Sequence, residues 1–142
     1  LRFWDSSALV PLLIDEPTTV AAMRLYAADP SVVAWWAART ECLSGFTRRE
    51  REGRLSPADV VRAMSRLTAL AEQWQEVDPA EVVRTTAGRL LRTHPLRAAD
   101  AFQLAAAIVA ADGVPRSLPF VTLDARLALA ASREGFPVLE LA

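Results

Sequence analysis

Lysine is missing from this sequence: all 16 basic residues are arginine. A high-GC coding bias gives such a ratio, but the absence still has chemical force, because every mechanism that depends on a lysine is closed. Cysteine is nearly absent as well. A lone Cys42 cannot form an intramolecular disulfide, which suits a reducing cytoplasm and equally suits a small buried apolar residue. The single histidine, His94 in "RTHPLRA", has no second His or Cys cluster beside it, so it reads as a helix-end or loop residue rather than a metal ligand. No apolar run approaches the roughly 20 residues of a membrane span, and "LRFWDSSALV" lacks the order of a secretory signal. The net charge of −1 gives nucleic-acid binding no support by itself. Repeats, linkers and low-complexity tracts are also missing.

What is present is a chain of 142 residues, 52% hydrophobic and well mixed with charge. That reads as one globular domain over residues 1–142, large enough to bury a core without staples. "RFW" (2–4) is a short buried strand and "SSALVPLLID" the helix after it, with Pro11 near the end of the first turn. "PTTVAAMRLYAAD" opens a second helix with Pro17 in its first turn, and "SVVAWW" is a second strand. "AARTECLSGFTRREREG" is a helix stopped by Gly53. "SPADVVRAMSRLTALAEQW" starts on Ser56 as cap and Pro57 at the first helical position. A strand at "QEV" (75–77) precedes "PAEVVRTTAGRLLRTH" and "LRAADAFQLAAAIVAADG", two further helices, the second ending at Gly113. "PFVTL" and "PVLEL" are strands around a helix "DARLALAASREG" closed by Gly135. Short apolar strands alternating with helices indicate an α/β layer whose parallel sheet is covered on both faces.

Acids recur where such a fold binds ligands. Asp5 follows "RFW" and Asp124 follows "FVTL", at strand ends that face the functional crevice of an open parallel sheet. Each also precedes a helix, where Asp is a favoured cap. At Asp5 the neighbouring Ser6 and Ser7 are able to cap and leave the carboxylate free. Asp100 heads "AADAFQLAAAIVAA", in which only it and Gln103 are polar; a helix apolar all round is buried, and a carboxylate at its head needs Arg97 or a cation as partner. Glu41 shares its helix face with Ala37, Ala38, Ser44 and Gly45, small residues that leave room for an approaching group. Like charges in one pocket raise one another's pKa. Mg²⁺ or Mn²⁺ resolves that conflict with hard oxygen ligands, and supplies an activated water and charge for phosphoryl displacement.

Together "FWDSSALV", the "TE" of "ARTECLSGF", "LRAADAFQLAAA" and "VTLDARLALAA" resemble a PIN domain, most of all the VapC-type toxins of bacterial toxin–antitoxin pairs. The resemblance runs over the whole chain. It implies a three-layer α/β fold with a central parallel five-stranded sheet flanked by about seven helices. It also implies a cytoplasmic Mg²⁺- or Mn²⁺-dependent endoribonuclease that hydrolyses RNA phosphodiester bonds, forms a homodimer and is restrained by a small cognate antitoxin. Asp5 and Asp100 would be the primary metal ligands, Glu41 and Asp124 would complete the acidic ring, and Ser6 and Thr122 would be hydroxyls near the metal or the scissile phosphate. Gln103 stands where the family often has His, and Pro11 where it has a helix former.

Rival readings are separable. Phospho-acceptor receivers and haloacid-dehalogenase-like phosphatases also place an Asp after the first strand, but both require a lysine, and the phosphatases want an acid where Ser7 stands. A deoxyribonuclease of the same fold, a stand-alone RNA-processing nuclease and a non-catalytic binding module stay open. The arginines of "FTRREREGRL" (Arg48, Arg49, Arg51 and Arg54) suit either RNA phosphates or a solvated hairpin tip. Of Trp35 and Trp36, one is expected in the core and the other free to face a partner or a base.

Overall fold

The computed structural model describes residues 1–141. Five short parallel strands form one sheet: β1 (Arg2–Trp4), β2 (Val32–Trp35), β3 (Gln75–Val77), β4 (Phe120–Val121) and β5 (Val138–Leu139). Their spatial order is β3-β2-β1-β4-β5. Between them run α1 (Ser6–Leu13), α2 (Thr19–Ala28), α3 (Ala38–Arg51), α4 (Pro57–Ala71), α5 (Glu81–Thr93), α6 (Ala98–Ala111) and α7 (Ala125–Arg133). The three-layer α/β architecture expected from the sequence is the one observed. Among the described residues no helix is long and apolar enough to cross a membrane.

The two-residue period of a strand sorts the apolar side chains into two cores. Phe3, Val33, Trp35 and Phe120 pack with Val83, Leu90, Leu104 and Leu127 from α5, α6 and α7. Trp4, Val32, Ala34 and Val121 pack with Leu9, Phe46, Val60 and Leu67 from α1, α3 and α4. Phe3 pairs with Phe120 across the β1–β4 ladder, and their rings stack at 5.2 Å. Such pairs add about 0.5–1.5 kcal/mol beyond the area they bury. This double burial is why β2 and β4 carry no polar residue, whereas the edge strand β3 exposes Gln75 and Glu76.

Local chemistry moves several boundaries. Pro11 lies in the second turn of α1, not at the end of the first, so the Ser7 carbonyl lacks its helical donor; α1 itself ends at Leu13, where Ile14 becomes extended. Pro17 sits in the turn before α2, which begins only at Thr19. The strand expected across "PFVTL" stops at Val121, because the Thr122 hydroxyl accepts the Asp124 N–H at 3.0 Å and turns the chain toward α7. A 3₁₀ turn at Pro115–Ser117 was not foreseen. The start of α4 agrees in detail: Ser56 and Asp59 form a reciprocal capping box behind Pro57. Gly53 stops α3 as expected, at φ +75°.

Candidate active site

The chain leaves β1 toward β2 on one side, whereas β4 docks on the other, so the sheet changes direction between β1 and β4. A crevice opens above the carboxyl ends of such a pair. Asp5 and Asp124 stand there, one at the end of each strand. Asp5 is anchored by its own N–H, which donates to the Val121 carbonyl at 3.1 Å. Its Oδ1 accepts the Ala8 N–H at 3.3 Å and the Ser7 hydroxyl at 2.7 Å. The expectation that the serines would cap α1 and leave Asp5 free is therefore corrected. Asp5 itself is the cap, because its extended backbone at the strand end aims the carboxylate at the first turn.

Ser7 does a different job. Its one proton goes to Asp5, and its oxygen accepts the Leu123 N–H at 2.9 Å. The Thr122 hydroxyl lies 3.2 Å from the Ser7 hydroxyl, within hydrogen-bond reach, and accepts the Asp124 N–H. A hydroxyl chain thus ties the end of β1 to the end of β4. Asp124 caps α7, its Oδ1 accepting the Arg126 and Leu127 N–H groups at 2.9 and 3.0 Å.

Glu41 comes from the first turn of α3 and Asp100 from the first turn of α6. Gln103, one turn after Asp100, is 1% exposed and donates its amide N–H to Glu41 Oε1 at 2.7 Å. The Gln103 carbonyl oxygen is buried without a partner. Asp100 differs from expectation: the head of α6 is not buried, and Asp100 itself is half-buried. The alanine-rich body of α6 packs in the core, while its first residues emerge at the sheet edge. Among the described residues Asp100 forms no ion pair, with Arg97 or any other residue.

Asp5, Glu41, Asp100 and Asp124 line one cleft of about 500 Å³, together with Ser6, Ser7, Arg48 and Arg49. Thr122 lies buried beneath it. Burial pushes the Asp5 carboxyl up to about 7, with a further push from Asp124, against the hydrogen bonds from Ser7, Thr122 and Ala8. Burial and the Asp100 charge raise Glu41, with Gln103 opposing. Burial and the Asp124 charge raise Asp100, and Arg97 and Arg126 offset this only in part. Each of these three acids resists ionisation partly because of another, which is the electrostatic condition a bound cation relieves.

The donor set is all oxygen, which matches a hard divalent ion. Among the described residues no three His, Cys, Asp or Glu side chains are drawn into a ready-made ligand cluster. Asp5 has committed Oδ1 to Ser7 and the α1 cap, and Glu41 has committed Oε1 to Gln103. That arrangement fits Mg²⁺ or Mn²⁺ held by one or two carboxylates and otherwise by water. It would not suit an ion that strips its whole hydration shell.

The remaining sequence signals divide. Arg49 reaches Glu16 at 2.6 Å and the Gly45 carbonyl at 2.9 Å, so it is a structural tie at the cleft wall. Arg48 is exposed on that wall, while Arg51 and Arg54 lie on the exposed tip, Arg54 paired with Glu52. Trp35 is core, stacked on Phe102 at 5.7 Å, and Trp36 is 53% exposed. His94 ends α5 as expected, but it is buried and bonded to Glu134 at 2.7 Å. Sequence reasoning missed Ser7 as the inter-strand link and Gln103 as the support of Glu41. A serine two residues after a capping Asp was the available hint for the first; nothing local signals the second.

The PIN domain family model matches residues 2–133. No curated relative matches in sequence. Several solved structures share the fold. One is a toxin–antitoxin complex from Klebsiella pneumoniae, with TM-score 0.66, 15% identity, and 98% of this chain and 96% of that one covered. Another is VapC20 of Mycobacterium tuberculosis, described as a Sarcin-Ricin loop cleaving toxin, with TM-score 0.64, 19% identity and 96% of each chain covered. A third is FitAcB from Neisseria gonorrhoeae, with TM-score 0.65, 16% identity, and 98% of this chain and 96% of that one covered. With the family match spanning nearly the whole chain, and with four acids at the switch point of a β3-β2-β1-β4-β5 sheet, this protein belongs to the PIN domain family.

Proposed function

We propose that this chain is a divalent-metal-dependent endoribonuclease that serves as the toxin of a toxin–antitoxin pair. The observation that carries the reading is the convergence of Asp5, Glu41, Asp100 and Asp124, each from a different element, on one cleft. Membership of the PIN family supports it, as do fold neighbours that include a toxin–antitoxin complex and a toxin described as Sarcin-Ricin loop cleaving. When bound, Mg²⁺ or Mn²⁺ supplies positive charge for the phosphoryl oxygens and lowers the pKa of a water.

The chain's own residues do the rest. Asp5 and Asp100 would hold the cation, with Asp124 and Glu41 completing the acidic ring. Glu41, fixed by Gln103 and raised in proton affinity by burial, is suited to take a proton from the attacking water. Ser7 and Thr122 keep the two strand ends in register, and Ser6 on the cleft wall is positioned toward the phosphate. Attack in line on phosphorus breaks the P–O3′ bond, leaving a 5′-phosphate and a 3′-hydroxyl. A small antitoxin protein is the expected partner, and the apolar groove of Leu12, Met23, Tyr26 and Leu70 suits one of its helices. A homodimer working in the cytoplasm completes the reading.

The test is incubation of the purified protein, freed of antitoxin, with structured RNAs in Mg²⁺ or Mn²⁺. Cleavage is expected, and it should stop in excess chelator. Asp100→Asn should abolish it while the circular dichroism spectrum and melting profile stay native. Cleavage that persists in chelator, or an Asp100→Asn protein that cuts normally, would refute the mechanism.

A further inference from the structure

Asp100 and Asp124 wall two clefts, not one. Besides the cleft that Glu41 and Arg48 also line, they wall a second one of about 560 Å³, lined by Arg97, Ala99, Asp100, Asp124, Ala125 and Arg126. Arg97 is the residue immediately before α6. Arg126 lies in the first turn of α7. Both are exposed, and among the described residues neither is in an ion pair. What sets this pair apart is its setting: both arginines share one cleft with Asp100 and Asp124. Two arginines beside two carboxylates would ordinarily close into ion pairs. Here Asp124 is turned to the α7 N–H groups instead, and the guanidinium groups stay open to the cleft.

A polyanion has a particular difficulty with this protein. The chain carries a net charge of −1 and presents four acids at its proposed site, so no broad positive field draws RNA in. Affinity must come from local phosphate contacts, and arginine's planar fork is the side chain best shaped to make them. We propose that the Arg97–Arg126 cleft binds a backbone phosphate neighbouring the scissile one, so that single-stranded RNA crosses the acids between Arg48 of the first cleft and Arg97 and Arg126 of the second. This rests on the ribonuclease reading above. The start of α6 at the same cleft adds N–H groups that favour an anion.

The experiment measures binding and turnover separately. A labelled single-stranded RNA is titrated into the Asp5→Asn protein at a series of salt concentrations, alone and combined with Arg97→Gln, Arg126→Gln or, as a distant control on α7, Arg133→Gln. Each of the first two should weaken binding several-fold at ~0.1 M salt and flatten the slope of log affinity against log salt by about 0.7. Arg133→Gln should leave the slope unchanged. In the otherwise wild-type protein, Arg97→Gln and Arg126→Gln should raise KM for a long strand with little change in kcat, as loss of uniform binding requires. Should Arg97→Gln disturb the start of α6, Arg126→Gln carries the test alone.

Slopes indistinguishable from the control, or a loss confined to kcat, would overturn the inference while leaving a cleaving wild-type enzyme, and so the function, intact. A wild-type protein that neither binds nor cuts RNA would overturn both.

Discussion

Asp5 holds two positions in the chemistry of this molecule. Its carboxylate starts α1, and the same carboxylate walls the acidic cleft, at 3% exposure. Burial lifts its pKa from 3.8 to about 7, so between those values the folded protein binds a proton that the unfolded chain has released. Stability from this group is therefore full below pH ~4 and declines as pH rises toward ~7, by an amount on the order of a few kcal/mol. In chelator, urea melts of the wild type should fall in midpoint over that window more than those of Asp5→Asn, which cannot ionise. Equal slopes would show that the carboxylate is not buried in solution. Gln103 supports a second residue-scale prediction. Gln103→Leu removes the hydrogen bond to Glu41 but also the orphaned buried carbonyl, terms of about 1–3 kcal/mol each that oppose one another. The variant should melt within about 1 kcal/mol of wild type yet need more Mg²⁺ for half-maximal cleavage. Cys42 offers a contrast: burial pushes its thiol up to about 12, so it is an inert core residue.

Among the elements, those whose signals are local were legible and those fixed by distant contacts were not. The start of α4 is written in Ser56, Pro57 and Asp59, all within four positions. Ser56→Ala should cost about 1 kcal/mol in a thermal or urea melt, the ordinary worth of such a cap. The acids at Asp5 and Asp124 were legible because strand ends and helix starts are local events. The Glu41–Gln103 bond joins residues 62 apart, and the Ser7–Leu123 bond spans 116, separations that no helical or strand periodicity encodes. The exposed head of α6 was misread for a related reason: composition reports the apolar character of a helix but not where it leaves the core. Arg49, expected among the hairpin arginines, instead links α3 to the segment before α2 through Glu16, both side chains 18% exposed. Glu16→Ala should destabilise the fold by roughly 1–3 kcal/mol, because it strands a largely buried guanidinium. A change below the error of the melt would place that pair among ordinary surface contacts.

For the molecule as a whole, clustered negative charge is the governing fact. A divalent ion that binds the folded chain and not the unfolded one must raise the melting temperature by mass action. Millimolar Mg²⁺ or Mn²⁺ should do so, more at pH 8 than at pH 5, because the raised carboxyls of Asp5, Glu41 and Asp100 hold protons against the ion at the lower pH. Calorimetry at both values with and without metal checks the direction, and an unchanged transition at pH 8 would count against a folded-state site. The sheet order decides when these charges meet. Asp5 and Glu41 come before β4 in the chain, and Thr122 and Asp124 lie in the turn that follows that strand. Until that strand slots in beside β1, Ser7 has no partner across the edge and the acids have no far wall. On the ribonuclease reading, a chain that has not yet placed β4 beside β1 has no assembled site with which to cut RNA.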